Sequence, residues 1–271
     1  MRNFLLIILV NLFLLSGEFL LNPQDADAKV KDFRQLKSSH FIISYSPEVK
    51  RPYVTEVKKK AEKFYREITQ EFHLVRDELW LWDNRAKIFI AENREEYLDN
   101  FNCPNWSSAC VNYREKRIYT YPDQKDFIST LAHELTHIVF REYVGRQILP
   151  LWLDEGMAMY TETKFSDSRY KNYSSQIKKK IKNNSFIPFD ELTTINARVL
   201  GEKPSSYVDT FYLQSFSLIN FLIENYKKHR FSQLLWNYKN ESDIKKALSK
   251  TYYQLNNLED LEERWKNYYL K

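Results

Sequence analysis

Glycine is scarce in this chain, with four residues among 271. Phosphate-binding loops depend on closely spaced glycines, which let backbone N–H groups approach the ligand. The chain contains no such run, and it has no internal repeat and no low-complexity linker. The sequence is therefore expected to fold into a domain whose function does not use a glycine-rich phosphate loop.

Cysteine is also rare, since Cys103 and Cys110 are the only two. Paired cysteines of structural zinc sites are usually separated by about two to four residues, whereas six residues separate this pair. The spacing argues against a zinc site that uses both cysteines. In an exported chain, two thiols so close in sequence are expected to form a disulfide.

Long apolar runs are confined to the start of the chain. Residues 1–3 are short and positively charged, residues 4–15 are almost entirely apolar, and residues 26–28 supply a small-x-small pattern. This arrangement predicts a signal peptide, residues 1–28, and an exported protein in the periplasm, the cell envelope or the extracellular space. The run is shorter than the roughly 20 residues of a membrane span. The alternative is an uncleaved anchor, helped by residues 19–21, and a membrane association is expected only in that case.

The charge balance is modest, with a formal net charge of +5 at pH 7. Two lysine runs, at 58–60 and 178–180, lie in segments with helical patterning, and the simplest interpretation is that they form solvated helix faces. A basic excess of this size favours solubility and does not by itself indicate a nucleic-acid partner. No nucleic-acid partner is therefore predicted.

The order of periodic segments predicts an α+β fold. Strands and helices alternate in the first half, and residues from Phe127 onward show mostly helical patterning. The predicted strands are 40–46, 86–92 and 117–121, and the predicted early helices are 51–73 and 94–101. We expect a domain of residues 29–271, with a sheet-containing sublobe at about 29–144 and a helical sublobe at 145–271.

The segment LAHELTHIVF, residues 131–140, contains two of the five histidines. His133 and His137 are four positions apart, so on a helix they lie one turn apart and about 40° apart around the axis. Both imidazoles then reach one point, while apolar residues such as Leu131 and Leu135 occupy the opposite side. Glu134 lies about 100° from His133, beside that point. The pattern H-E-x-x-H predicts a zinc site with a general base next to it.

A catalytic zinc site usually takes three protein ligands and keeps one position for water. The segment LWLDEGMAMYTE, residues 151–162, has the pattern of a second partly buried helix. Gly145 and Pro150 permit a reversal between the two helices. Glu155 or its neighbour Asp154 could then supply the third ligand. These two residues lie about 100° apart on a helix, so only one of them is expected to face the metal.

The two motifs together, HELTH and then WLDEGMAMYTE, resemble the gluzincin metallopeptidases, and most of all the peptidase MA-like family. The resemblance implies a zincin-like fold with a small mixed sheet, a zinc-binding helix and a helical C-terminal half. It implies one Zn²⁺ per chain held by His133, His137 and Glu155, with Glu134 as general base and acid.

The same resemblance extends to residues around the two motifs. It implies that Gly156 permits a close approach of helices and that Glu162 supports a histidine ligand. WLDEGMAMY is also similar to the W-L-N-E-G-x-A segment of the M1 aminopeptidases. Asp154 stands where those enzymes often have asparagine, so specificity for free amino ends does not carry over.

More distant segments resemble the family more loosely. IPFDEL, FYLQSFSLINFLIENY and ALSKTYYQLNNLEDLEERW correspond to helical segments that follow the glutamate helix in MA-like proteins. Within the second of them, Tyr212 is the candidate donor to the reaction's oxyanion, with Tyr207 and His229 as alternatives. The stretch SSACVNYREKRIYTY, at 107–121, is predicted either to offer a sheet edge to a peptide substrate or to form an ordinary hairpin.

The resemblance predicts an exported zinc-dependent metallopeptidase with a peptide or protein substrate. Two other interpretations remain open. The chain could be a catalytically silent scaffold of the same fold that binds proteins, although a binding module has no need of Glu134 beside the metal. It could also be a peripheral membrane protein held by residues 4–21.

Overall fold

A computed structural model of the protein describes residues 32–74, 79–101, 103, 109–122, 127–145, 147–165 and 172–271. The predicted signal peptide, residues 1–28, lies outside the described residues. The chain forms two compact units. The first comprises the described residues of Met1–Glu67 and Arg76–Ile138, and the second those of Ile68–Val75 and Val139–Lys271. The predicted sublobe boundary at residues 144 and 145 stays a prediction.

Strands occur only before residue 121 in the part of the chain that the structure describes. The strands are β1 (Arg34–Lys37), β2 (Phe41–Tyr45), β3 (Ala86–Ile90), β4 (Ala109–Asn112) and β5 (Arg117–Thr120). The longer helices are α1 (Arg51–Glu71), α2 (Arg94–Phe101), α3 (Phe127–Val144), α4 (Leu151–Phe165) and α5 (Tyr173–Lys182). Two short helices follow, α6 (Phe189–Leu192) and α7 (Ala197–Gly201). The last helices are α8 (Ser205–Tyr226), α9 (Lys228–Glu241), α10 (Ile244–Thr251) and α11 (Leu258–Leu270).

The five described strands form one mixed sheet with the order β1-β2-β3-β5-β4. β2, β3 and β5 are parallel, whereas β1 and β4 run antiparallel to their neighbours. β4 is joined to β5 by a short turn, as expected for an antiparallel pair. Within the described sheet β4 pairs with β5 alone, so β4 is an edge strand.

Side chains alternate across the sheet, and each face packs against a different helix. On one face, the ring of Phe41 meets that of Tyr65 from α1 at 6.0 Å. On the other face, Phe89 and Tyr119 stack at 5.1 Å and join a buried cluster with Tyr97 and Phe101 from α2. The sheet is thus covered by helices on both faces, as parallel strands require.

The second unit is organised around α8. This helix is buried at Val208 and from Thr210 to Ile223, as expected for a helix that is apolar around most of its circumference. Two of its buried polar side chains form hydrogen bonds: Gln214 bonds to the backbone of Ile187, and Ser217 accepts from the indole N–H of Trp265 at 3.0 Å. The free energy of burying these polar groups is therefore offset by hydrogen bonds.

One carboxylate of the second unit forms two ion pairs. Glu71, at the end of α1, forms ion pairs with Lys164 near the end of α4 and with Lys228 at the start of α9. Burial alone would raise the pKa of Glu71, but the two lysines hold it below its ordinary value. The ionised form of Glu71 is therefore favoured in the folded protein.

The predicted α+β class is confirmed, with the sheet in the N-terminal part and helices in the remainder. β1 was not predicted, because its sequence RQLK is short and polar and has no apolar alternation. Every residue of α3 from Leu131 to Phe140 is buried, so the side of the helix that carries the histidines is covered as well as its apolar side. Among the described residues, no helix has the length and apolar character needed to cross a membrane.

Candidate metal centre

Helix α3 brings the two predicted histidine ligands together. The Nε2 atoms of His133 and His137 are 3.2 Å apart, and their rings meet nearly at right angles with centroids 4.9 Å apart. Both side chains are buried, with exposed fractions of 3% and 0%. The same ring nitrogen of each histidine therefore faces one point, as the spacing of four residues predicts.

The structure settles which acidic residue of α4 lies near the histidines. One carboxylate oxygen of Glu155 and one ring nitrogen each of His133 and His137 all lie within 4.8 Å of one another. Asp154 is engaged elsewhere, since its Oδ2 accepts hydrogen bonds from Nε and Nη2 of Arg141 at 3.0 and 2.6 Å. Glu155, rather than Asp154, is thus placed with the histidines.

This donor set fits zinc. Two imidazoles and one carboxylate form a recognised ligand set of catalytic zinc sites, which leaves a fourth position for water. With Zn–N distances of about 2.0–2.1 Å, the separation of 3.2 Å between the Nε2 atoms corresponds to an N–Zn–N angle of about 100°. That angle is close to tetrahedral. The residues present therefore suit the metal that the sequence predicts.

Glu134 lies on the same turn of α3 and is 1% exposed. The hydroxyl of Tyr113 lies 3.5 Å from Oε2 of Glu134. The ring of Tyr113 also meets the ring of His137 edge-on, with centroids 5.7 Å apart. The carboxylate that the motif predicts as a base is thus buried beside a predicted metal ligand and a phenol.

A glycine permits the close packing behind Glu155. A Cβ atom built on Gly156 would lie 2.6 Å from the backbone oxygen of Ser215 and 2.7 Å from Cγ1 of Ile219, both on α8. Such distances are well inside van der Waals contact, so α4 and α8 approach one another closely at this point. The close approach that the resemblance implied for Gly156 is present.

The three candidate oxyanion donors differ in their surroundings. Tyr212 is 2% exposed and lies one turn before Ser215 on α8. The hydroxyl of Tyr207 donates to Oε1 of Glu191 at 2.5 Å, and burial together with this bond raises the pKa of Tyr207. His229 is exposed at the start of α9. Tyr212 is thus the buried one of the three, and its role stays a prediction, as does the supporting role of Glu162, which is 2% exposed.

Sequence reasoning missed two residues next to the motif residues. Arg141 follows His137 by four positions, so the helical spacing that relates the histidines also places Arg141 on their face. That signal was available in the sequence. Tyr113 had no such signal, because it is one of 19 tyrosines and lies 21 positions before Glu134.

The two cysteines are bonded as predicted. Cys103 and Cys110 form a disulfide, and the second of them lies within β4. The bond therefore ties the edge strand to the residue two positions after the end of α2. This arrangement restrains the chain leading into the β4–β5 hairpin.

Comparisons with known proteins agree with these features. A model of the Peptidase MA superfamily matches residues 83–271. The structure of yeast LTA4 hydrolase in complex with bestatin is similar in fold, with a TM-score of 0.51 and 15% identity. The match covers 89% of this chain and 39% of that chain, so this protein spans well under half the length of the yeast enzyme. No curated protein matches this sequence.

Proposed function

Since this chain belongs to the peptidase MA superfamily, we propose that it is an exported zinc-dependent peptidase in which Glu134 is the general base. The observation that carries the proposal is the convergence of His133, His137 and Glu155, whose ligand atoms lie within 4.8 Å of one another. All three side chains are buried. The export component rests on the signal peptide predicted at residues 1–28.

The residues of the chain have separate tasks in this proposal. His133, His137 and Glu155 would hold the zinc ion. When bound, zinc supplies Lewis acidity, which makes water acidic near neutral pH and polarises a carbonyl. Glu134 accepts a proton from the attacking water at a carboxylate oxygen and then delivers that proton to the leaving amine.

Tyr212 is our candidate for the donor to the oxyanion. It is buried on α8, one turn from the Ser215 oxygen that contacts Gly156, and Gly156 directly follows Glu155. A phenol is a hydroxyl donor of the kind that such sites use. Removing one oxyanion donor typically costs about 10²–10³ in kcat. We expect Tyr212→Phe to lower kcat by about that factor while zinc affinity stays within about twofold.

The substrate is proposed to bind along β4. Extended peptides add to exposed sheet edges through backbone hydrogen bonds, and β4 is an edge of the described sheet. The disulfide of Cys110 restrains this strand. A peptide or protein substrate is therefore expected, and its sequence preference is the first property to measure.

The test is a matched pair of carboxamide variants on α3. Residues 29–271 are purified, zinc is quantified by elemental analysis, and cleavage is profiled over a peptide library with and without chelator. Glu134→Gln is expected to abolish cleavage and to keep one zinc per chain. Glu142→Gln, on the same helix but two turns away, is the control and is expected to cleave at the wild-type rate.

The metal site, the base and the catalytic activity can each be refuted separately. A wild-type chain without stoichiometric zinc would refute the metal centre. Equal turnover by Glu134→Gln and wild type would refute the assigned base. A wild-type chain that binds zinc but cleaves nothing would favour the catalytically silent scaffold, in which the same fold binds proteins without hydrolysing them.

A further inference from the structure

Tyr113 contacts two residues of the metal centre, and neither the motifs nor the proposed mechanism uses it. Its hydroxyl lies 3.5 Å from Oε2 of Glu134. Its ring meets the ring of His137 at 74°, with centroids 5.7 Å apart. One side chain therefore contacts both the proposed base and a proposed metal ligand, through two different groups.

The sheet, rather than α3, sets the position of Tyr113. This residue directly follows β4 and begins the turn into β5. Asn112 Oδ1 accepts from the backbone N–H of Glu115 at 3.2 Å, and the carbonyl of Tyr113 accepts from that of Lys116 at 3.4 Å. The residues that flank this four-residue turn, Asn112 and Arg117, are paired with each other in β4 and β5. The backbone that carries the Tyr113 side chain is therefore held in place by the sheet.

The hydroxyl contact has a defined direction. An ionised carboxylate only accepts hydrogen bonds, so the phenol donates and Oε2 of Glu134 accepts. The separation of 3.5 Å exceeds the usual range of about 2.5–3.0 Å for O–H···O bonds. Catalytic hydrogen bonds are often long before substrate binds and shorten in the complex.

We propose that Tyr113 is a positioning residue that orients Glu134 through its hydroxyl and His137 through its ring. The inference rests on the proposed function, because it assigns roles to the base and to a ligand of that same site. The two contacts come from different parts of the side chain. Two substitutions at this position therefore separate them.

Tyr113→Phe removes the hydroxyl and keeps the ring. We expect its kcat to fall about tenfold, because Glu134 loses the group that orients it, while KM and zinc affinity stay within about twofold. Tyr113→Ala removes both contacts, and we expect it also to weaken zinc binding about tenfold. Tyr253→Phe is the matched control, because Tyr253 is 74% exposed on the second unit. It is expected to match wild type in kcat, KM and zinc affinity.

A second measurement does not depend on turnover. The chain has five histidines, so spectra of selectively labelled imidazoles are simple to assign. Tyr113→Ala is expected to shift the ring resonances of His137, through loss of the adjacent aromatic ring, and to leave those of the exposed His229 unchanged. An unchanged His137 spectrum would refute the ring contact.

Different results would refute the proposed peptidase function and the proposed role of Tyr113. A wild-type chain that cleaves no peptide would refute the proposed function. Wild-type cleavage together with an undiminished kcat in Tyr113→Phe would refute the role of the hydroxyl and leave the function standing. A kcat loss accompanied by an equal loss of zinc affinity in Tyr113→Phe would also refute it, because that result indicates general damage to the site.

Discussion

Replacing Gly156 by alanine tests how strongly the metal centre depends on close helix packing. The new Cβ would lie 2.6 Å from the Ser215 oxygen, 2.9 Å from the Ser215 carbonyl carbon and 2.7 Å from Cγ1 of Ile219. The Ile219 side chain has some freedom to turn away. The Ser215 carbonyl does not, because it belongs to the backbone of α8. The methyl group therefore has to push α4 and α8 apart.

Two opposing terms set the size of the effect. Overpacking in a well-packed interior typically costs about 1–3 kcal/mol, and the backbone contact here places this substitution at the upper end. Alanine is favoured over glycine within a helix by about 1 kcal/mol. The net expectation is a decrease of about 1–2 kcal/mol in the free energy of unfolding. Glu155 is the adjacent residue, so zinc affinity is expected to fall about tenfold, which corresponds to about 1.4 kcal/mol.

The assays are urea unfolding of the metal-free chain and a zinc competition titration. Gly145→Ala is the matched control: Gly145 has φ +67°, and a Cβ there would meet nothing within 4 Å. The control is expected to lose about 1 kcal/mol through backbone strain and to keep wild-type zinc affinity. If Gly156→Ala were as stable as wild type and bound zinc equally well, the close approach of α4 and α8 would be refuted.

Other contacts give three further predictions. Arg141→Met should lower the free energy of unfolding by about 2 kcal/mol in urea titrations, and no change would refute the ion pair with Asp154. The expected loss is smaller than the roughly 3–5 kcal/mol of a fully buried pair, because Asp154 is 3% exposed but Arg141 is 25% exposed. The Cys103–Cys110 bond joins residues seven positions apart, and its reduction should lower the denaturation midpoint by an amount equivalent to about 2–3 kcal/mol. In the double variant Cys103→Ser/Cys110→Ser, reductant should leave the denaturation midpoint unchanged. The pKa of Glu71 is held below 4.5 in the folded state, so the stability that ionised Glu71 gives the fold is complete above that pH and is lost as pH falls through the lower folded pKa. The difference in unfolding free energy between wild type and Glu71→Gln should therefore shrink between pH 6 and pH 3. A difference that stays constant over this range would contradict the prediction.

The sequence predicts the central part of the fold well and its edges poorly. Strands β2, β3 and β5 have apolar residues that are buried in the sheet, and the residues predicted at 40–46, 86–92 and 117–121 contain them. The edge strand β1 is largely exposed and carries RQLK. No burial pattern distinguishes such a segment from a loop, and its strand conformation is produced by pairing with β2, which is a long-range contact.

The candidate metal centre could also be predicted only in part. H-E-x-x-H is local, so the spacing along one helix determines the geometry of His133 and His137. The choice between Glu155 and Asp154 was open in the sequence, because it depends on the angle at which α4 meets its neighbours. In the structure Arg141 binds Asp154, and a carboxylate oxygen of Glu155 lies within 4.8 Å of a ring nitrogen of each histidine. Tyr113 was missed because its contact with Glu134 depends on the course of the β4–β5 hairpin.

The start of α4 has a consequence for insertions and deletions. The carbonyl of Pro150 accepts the first backbone bonds of this helix, from Leu153 and Asp154, and Glu155 follows in its second turn. One extra residue just after Pro150 would move each later side chain by about 100° around the axis, and the shorter carboxylate of Asp154 would take the place of Glu155. An extra residue beside Ile148, which is 88% exposed, would leave the side chains of α4 at their present positions around the helix axis. Length changes in homologues of this protein should therefore accumulate ahead of Pro150 and be absent from the five residues that follow it.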